Sequence, residues 1–170
     1  MTVLTGGCQC GAVRFRCESL GRASICHCRM CQKAFGGHYG PLVTAHGLVW
    51  TRGAPKRFAS SNKIARGFCA ECGTPLTYEP IGRGHVEVAL GAFDHPAEIP
   101  PTIQVGTESR MPWFHELATL PGRPPADQAR AEAFFADVVS HQHPDHDTTD
   151  RKSTRLNSSH IPLSRMPSSA

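Results

Sequence analysis

Residues 7–11 read Gly7-Cys8-Gln9-Cys10-Gly11, and residues 69–73 read Cys69-Ala70-Glu71-Cys72-Gly73. Each segment places two cysteines one or two residues apart and follows the second with glycine. In a tight metal knuckle the chain turns so that backbone N–H groups point at sulfur, and a glycine after the second ligand permits the backbone angle which that turn requires. Two such knuckles supply four thiolates, a closed tetrahedral set of the structural zinc type. Because the knuckles stand far apart in the chain, a shared metal ties the first strand to a later hairpin.

The chain has eight cysteines. Disulfides are the ordinary alternative for an even count, but they belong to exported chains, and Met1–Gly7 lacks the charged-then-apolar pattern of an export signal. Three further cysteines fall within six residues, Cys26-His27-Cys28-Arg29-Met30-Cys31, and no glycine follows the last. The segment runs instead into Gln32-Lys33-Ala34-Phe35, the start of a helical turn before Gly36-Gly37. Three thiolates leave one position open on a tetrahedral ion, which marks a working rather than a structural site. His27, His38 and Cys17 are the candidates for a closing fourth ligand. His27 lies between two ligands and is expected to point away; Cys17 reads as a small core residue. Three thiolates blunt the acidity that zinc would need to make hydroxide from water. They suit binding of a further thiol, which coordinates as thiolate and is then a nucleophile towards a carbonyl carbon.

Around these clusters the pattern is that of short strands. Val13, Phe15 and Cys17 alternate with Arg14 and Arg16, the period of a half-buried strand. Further strands are expected at 41–44, 48–51, 56–59, 65–68, 76–78, 85–90 and 102–105. Glycine and proline punctuate them at short intervals, as in antiparallel β structure rather than βαβ units. All 16 glycines lie at or before Gly122. After the stiff Pro121-Gly122-Arg123-Pro124-Pro125 connector, Ala131, Phe134, Phe135, Val138 and Val139 recur on one helical face, expected to pack on the sheet. Residues 1–122 thus read as one β domain, 123–149 as a helix with a frayed end, and 150–170 as a disordered tail.

That tail, Asp150 to Ala170, resembles a translated sequencing adapter and is set aside as one sets aside a cloning scar. It matters for the charge. The whole chain carries 18 basic and 14 acidic residues, a formal +4. The tail holds four of the former and one of the latter, leaving 14 against 13 in residues 1–149. With that balance and only 12 aromatic residues, nucleic-acid binding has little support. No run approaches the roughly 20 apolar residues of a membrane helix. The expectation is a cytoplasmic chain.

Gly7 to Phe15, the Cys26–Cys31 block and Arg66-Gly67-Phe68-Cys69-Ala70-Glu71-Cys72-Gly73-Thr74 together resemble the glutathione-dependent formaldehyde-activating family, or CENP-V/GFA domain. Leu90-Gly91-Ala92-Phe93-Asp94 and Pro112-Trp113-Phe114 resemble its later landmarks. The resemblance implies a mainly β, Mss4-like fold of antiparallel sheets stapled by two zinc ions per chain, with the amphipathic helix following. It assigns Cys8, Cys10, Cys69 and Cys72 to the structural zinc, and Cys26, Cys28 and Cys31 to the catalytic zinc. It further implies a carbon–sulfur lyase that adds or removes a small aldehyde, such as formaldehyde, on a small thiol such as glutathione. The alternative is a non-catalytic zinc-binding β module that contacts a protein or nucleic acid.

The remaining conspicuous residues have plain readings. Arg29 and Lys33 are expected to be solvated surface charge, Asp94 a turn residue and Trp113 a core residue. His141, His143 and His146 are assigned to the frayed end. No Lys/Arg set that would hold the carboxylates of glutathione is legible in the sequence.

Overall fold

The computed structural model describes residues 4–149; the tail reading concerns residues that lie outside them. Among the described residues ten strands form two sheets. The smaller is built from β1 (Leu4–Gly7), β2 (Arg14–Cys17) and β5 (Val49–Arg52), in the order β1-β2-β5. The larger is built from β3 (Ser19–Cys26), β4 (Gly40–His46), β6 (Lys56–Ala59), β7 (Ile64–Phe68), β8 (Pro75–Pro80), β9 (Val86–Ala89) and β10 (Ile103–Val105), in the order β10-β3-β4-β9-β8-β7-β6. Every strand pair is antiparallel except β10 on β3, which is parallel. Two helices, α1 (Arg29–Phe35) and α2 (Pro125–Phe135), together with short 3-10 turns complete the described residues. The fold is mainly β, with few helices, as the strand pattern predicts. None of the described helices is long and apolar enough to cross a membrane.

The core sits between the sheets. Val13, Phe15 and Cys17 are 4%, 0% and 1% exposed, so the period-two pattern holds. Phe15 packs edge-on against Phe93 and Trp50, with ring centroids 5.1 and 5.9 Å away. Leu76, Val43 and Val88 close the opposite side without exposure. A bridge between Gly6 and Phe93 carries the small sheet across to the segment after β9.

Most expected strands stand within a residue or two of their predicted bounds, but β1 and β3 are additions. β3 is the longest of the described strands, yet its sequence, Ser-Leu-Gly-Arg-Ala-Ser-Ile-Cys, has no clean alternation. Its register on β4 shifts between Leu20 and Ala23, and a bulge of that kind erases the period that would identify a strand. It is held by ladders on both sides, from β4 and β10.

Four expectations are corrected. Arg14, expected on the polar face of β2, is buried because its guanidinium makes two 2.7 Å bonds to the buried Asp94 carboxylate and further bonds to Asp147. Asp94 is therefore no mere turn residue; it also accepts from the Thr5 hydroxyl at 2.5 Å. The apolar face of the last helix does not pack on the sheet. α2 ends at Phe135, short of the valines that would extend the stripe, and buries no residue, leaving Phe134 68% exposed. Finally, the end after α2 is not wholly frayed but is tied back at His143, Asp147 and Thr148. The His143 amide donates to the Gln9 carbonyl at 2.7 Å, its ring is buried over Gly11, and Arg52 holds the Thr148 carbonyl.

The Arg14–Asp94 pair gives a direct test. Burial works against the Asp94 carboxylate, but Arg14 and Thr5 outweigh it and hold its pKa below the ordinary value. The pair's stabilisation is thus present above the ordinary carboxylate pKa and is lost as pH falls through the lower folded value. Asp94→Asn leaves a buried guanidinium with only the half-exposed Asp147. It is expected to lower unfolding stability by about 3 kcal/mol, read from urea denaturation at neutral pH.

Candidate metal centres

The first centre forms where the end of β1 meets the β7–β8 turn. The sulfurs of Cys8, Cys10, Cys69 and Cys72 all lie within 4.8 Å of one another. Gly11 and Gly73 adopt φ of 71° and 75°, the left-handed conformation expected after the second ligand of each knuckle. The two turns are built alike. The Gly11 and Gly73 amides each donate at 3.0 Å to the carbonyl of the first ligand, Cys8 or Cys69, and the Cys8 and Cys69 amides each close the turn on a later carbonyl at 2.9 Å. The Val13 amide points at Cys8 Sγ, 3.2 Å away. Thr74 ties the knuckles together, accepting from the Gln9 amide at 3.0 Å while its hydroxyl lies 3.1 Å from Cys72 Sγ.

These contacts divide the thiols. Burial pushes Cys8 up to about 12. Burial acts on Cys72 in the same direction, but bonds from the Thr74 hydroxyl and amide and from the Cys10 amide outweigh it, bringing Cys72 down to about 6. The Cys72 thiolate is therefore ready at neutral pH, whereas Cys8 gives up its proton only with a cation among the sulfurs.

The second centre stands where β3 runs into α1. Cys26, Cys28 and Cys31 have their sulfurs within 4.8 Å of one another, with Cys26 and Cys28 3.4 Å apart. Burial drives Cys26 up to about 12. Cys28 is likewise opposed by burial but is lowered overall, chiefly by the amide of Cys31. None of the three suggested closing ligands joins this set. Cys17 is a core residue, 1% exposed. His27 is fully buried and turned to Gln104, with Nε2 3.0 Å from Oε1, and packs edge-on against Phe114. His38 stands among Tyr39 and Trp113, with centroids at 4.5 and 5.5 Å. Trp113 is 44% exposed, so it is not the core residue expected; it forms an outer wall over His38.

Several residues that shape this centre were not singled out from the sequence. Arg66, on β7, is 7% exposed and donates Nη2 to Cys31 Sγ at 3.4 Å, while its guanidinium lies over the Tyr78 ring. The buried Gln32 side chain donates to the His27 carbonyl at 2.7 Å and the Ser109 carbonyl at 3.0 Å, clamping α1 to the segment after β10. Gly106 comes so close that a Cβ there would stand 2.8 Å from the Cys28 amide nitrogen. Arg66 did carry a sequence signal: an arginine inside an otherwise apolar strand, next to glycine, implies a buried partner.

Chemically, both donor sets consist of soft sulfur, which suits a tetrahedral thiophilic cation rather than magnesium or calcium. The first set is complete by itself. The second offers three sulfurs, with a cation beside them in Arg66. Because Cys8 and Cys26 hold their protons to about 12 without a cation, metal uptake must displace protons. Titrating zinc into the metal-free chain near pH 7.5 is expected to acidify a weakly buffered solution, and affinity is expected to rise with pH. Uptake without proton release would contradict this assignment.

A family model described as glutathione-dependent formaldehyde-activating enzyme matches residues 3–109 of the chain. A crystal structure of a Rhodobacter sphaeroides protein is similar over 59% of this chain and 99% of that one, at 20% identity and a TM-score of 0.48.

Proposed function

The chain belongs to the glutathione-dependent formaldehyde-activating family, and on that premise we propose that it is a zinc-dependent carbon–sulfur lyase-type enzyme, joining a small aldehyde to a small thiol or releasing it. The observation that carries this reading is the asymmetry between the two cysteine sets: four sulfurs closed by knuckle turns in one, three sulfurs without a fourth ligand among the described residues in the other.

In this reading Cys8, Cys10, Cys69 and Cys72 hold a structural zinc, while Cys26, Cys28 and Cys31 hold the reactive one. Held by Cys26, Cys28 and Cys31, a zinc ion would lower the pKa of an incoming thiol. The chain's own residues shape the rest. Arg66 places a positive charge against Cys31, offsetting part of the surplus negative charge of three thiolates. Gln32 and the Gly106 approach hold the Cys26–Cys31 turn rigid. The substrate sulfur then attacks the aldehyde carbon, a C–S bond forms, and the carbonyl π pair moves to oxygen, which takes up a proton. The product is a hemithioacetal, S-hydroxymethylglutathione if the partners are glutathione and formaldehyde. The reverse path breaks the same bond.

The test separates the two centres. Cys28→Ser is expected to lose one of two zinc equivalents and at least a hundredfold in aldehyde–thiol condensation while keeping its circular dichroism spectrum. Cys69→Ser is expected to lose the folded state. Equal loss of folding in both variants overturns the division of labour; full activity in Cys28→Ser overturns the enzyme assignment.

A further inference from the structure

α1 and the strands beside it enclose a groove that the reactions above have not used. A cavity of about 350 Å³ is lined by Arg29, Lys33 and Arg66 together with Met30, Ala34 and Phe58. Ala34, Phe58 and Arg66 also line a neighbouring cavity of about 280 Å³, so the two adjoin at a shared wall between α1 and the β6–β8 region. Their linings contain three cationic side chains and no carboxylate.

The charges are arranged, not scattered. Arg29 and Lys33 stand one helical turn apart on α1, so their side chains share one face. Arg66 approaches from β7, held in place by the Ser60 hydroxyl at 3.3 Å, by Cys31 and by the Tyr78 ring. Three like charges around one cavity repel one another, and an anion between them relieves that repulsion. The walls are apolar: Met30 is 50% exposed and Phe58 62% exposed, large side chains facing open space beside the cations. A wall of this kind favours a ligand with an apolar stem behind its charge.

We propose that this groove binds the carboxylate of an amphipathic organic acid, with Arg29 and Lys33 on the carboxylate and Met30, Ala34 and Phe58 under the stem. Resting on the enzyme reading above, that acid is the thiol substrate: Arg66 belongs both to the groove wall and to the contact with Cys31, so the groove and the three-cysteine cluster are separated by this one side chain. Arg29 and Lys33 are then substrate-binding residues rather than solvated surface charge.

The test uses the full chain and a probe without sulfur. Calorimetric titration with 4-phenylbutyrate is expected to show binding at least tenfold tighter than with 4-phenylbutan-1-ol, its neutral counterpart, and the difference should shrink as salt is added. The double variant Arg29→Gln/Lys33→Gln alters two exposed side chains and should melt like the parent, while its affinity for the acid falls to that for the alcohol. Lys33→Glu alone should weaken the acid and leave the alcohol unchanged. Equal affinity for acid and alcohol, no binding of either, or an unaffected double variant would each overturn the proposal. The probe lacks a thiol, which keeps the two readings separable. Acid binding without condensation of any thiol and aldehyde sinks the enzyme reading and leaves the groove; condensation without a carboxylate preference does the reverse.

Discussion

Four sulfur atoms gathered within 4.8 Å of one another are the constraint on which this fold depends. As thiols they are small apolar groups; as thiolates they repel and hold together only around a cation. The knuckles join the end of β1 to the β7–β8 turn, that is, the edge of the small sheet to the far half of the large one. Apolar burial between the sheets is modest, with Phe15, Leu76, Val43 and Val88 as its fully enclosed centre. A metal held by these four sulfurs would supply the cross-link that so many short strands lack. The glycine turns, the Thr74 bridge and the Val13 amide all serve that junction.

The second cluster sets the same side chain in different surroundings. Its cysteines lie at a strand end and in the first turn of a helix, not in paired glycine knuckles. No histidine among the described residues completes it: His27 is engaged by Gln104, and His38 is enclosed by aromatic rings. A buried arginine stands against one sulfur instead. Closure by backbone amides yields a passive site, whereas an incomplete set beside a fixed positive charge and a cationic groove is suited to receiving an anionic partner.

The chain after the helix is integrated in a way its composition conceals. The segment around His143 returns over the Cys8–Gly11 knuckle, and Asp147 adds a second carboxylate to Arg14. Burial, with Arg14 and Arg52 nearby, holds His143 below the ordinary imidazole pKa. The three-histidine grouping is therefore misleading as a metal motif; one of its members is a packing residue of the structural junction.

By itself the sequence determined what depends on short-range chemistry. Cysteine spacing with a following glycine specifies a knuckle wherever it occurs, and the alternation of Val13, Phe15 and Cys17 requires one face to be buried. The division of seven cysteines into four and three, and the mainly antiparallel β character, were legible for that reason. Only the tertiary structure decided what depends on residues distant in the chain. Arg14 is buried because Asp94 arrives from beyond β9. β3 is a strand because two neighbours pair with it in spite of an irregular pattern. The amphipathic stripe of α2 stays exposed because the helix ends before the stripe is complete. Arg66 reaches Cys31, and Arg29 and Lys33 join it in one groove, because β7 is folded against α1. A local motif carries its own geometry, but the meaning of an isolated charge is set by whatever the fold brings to face it.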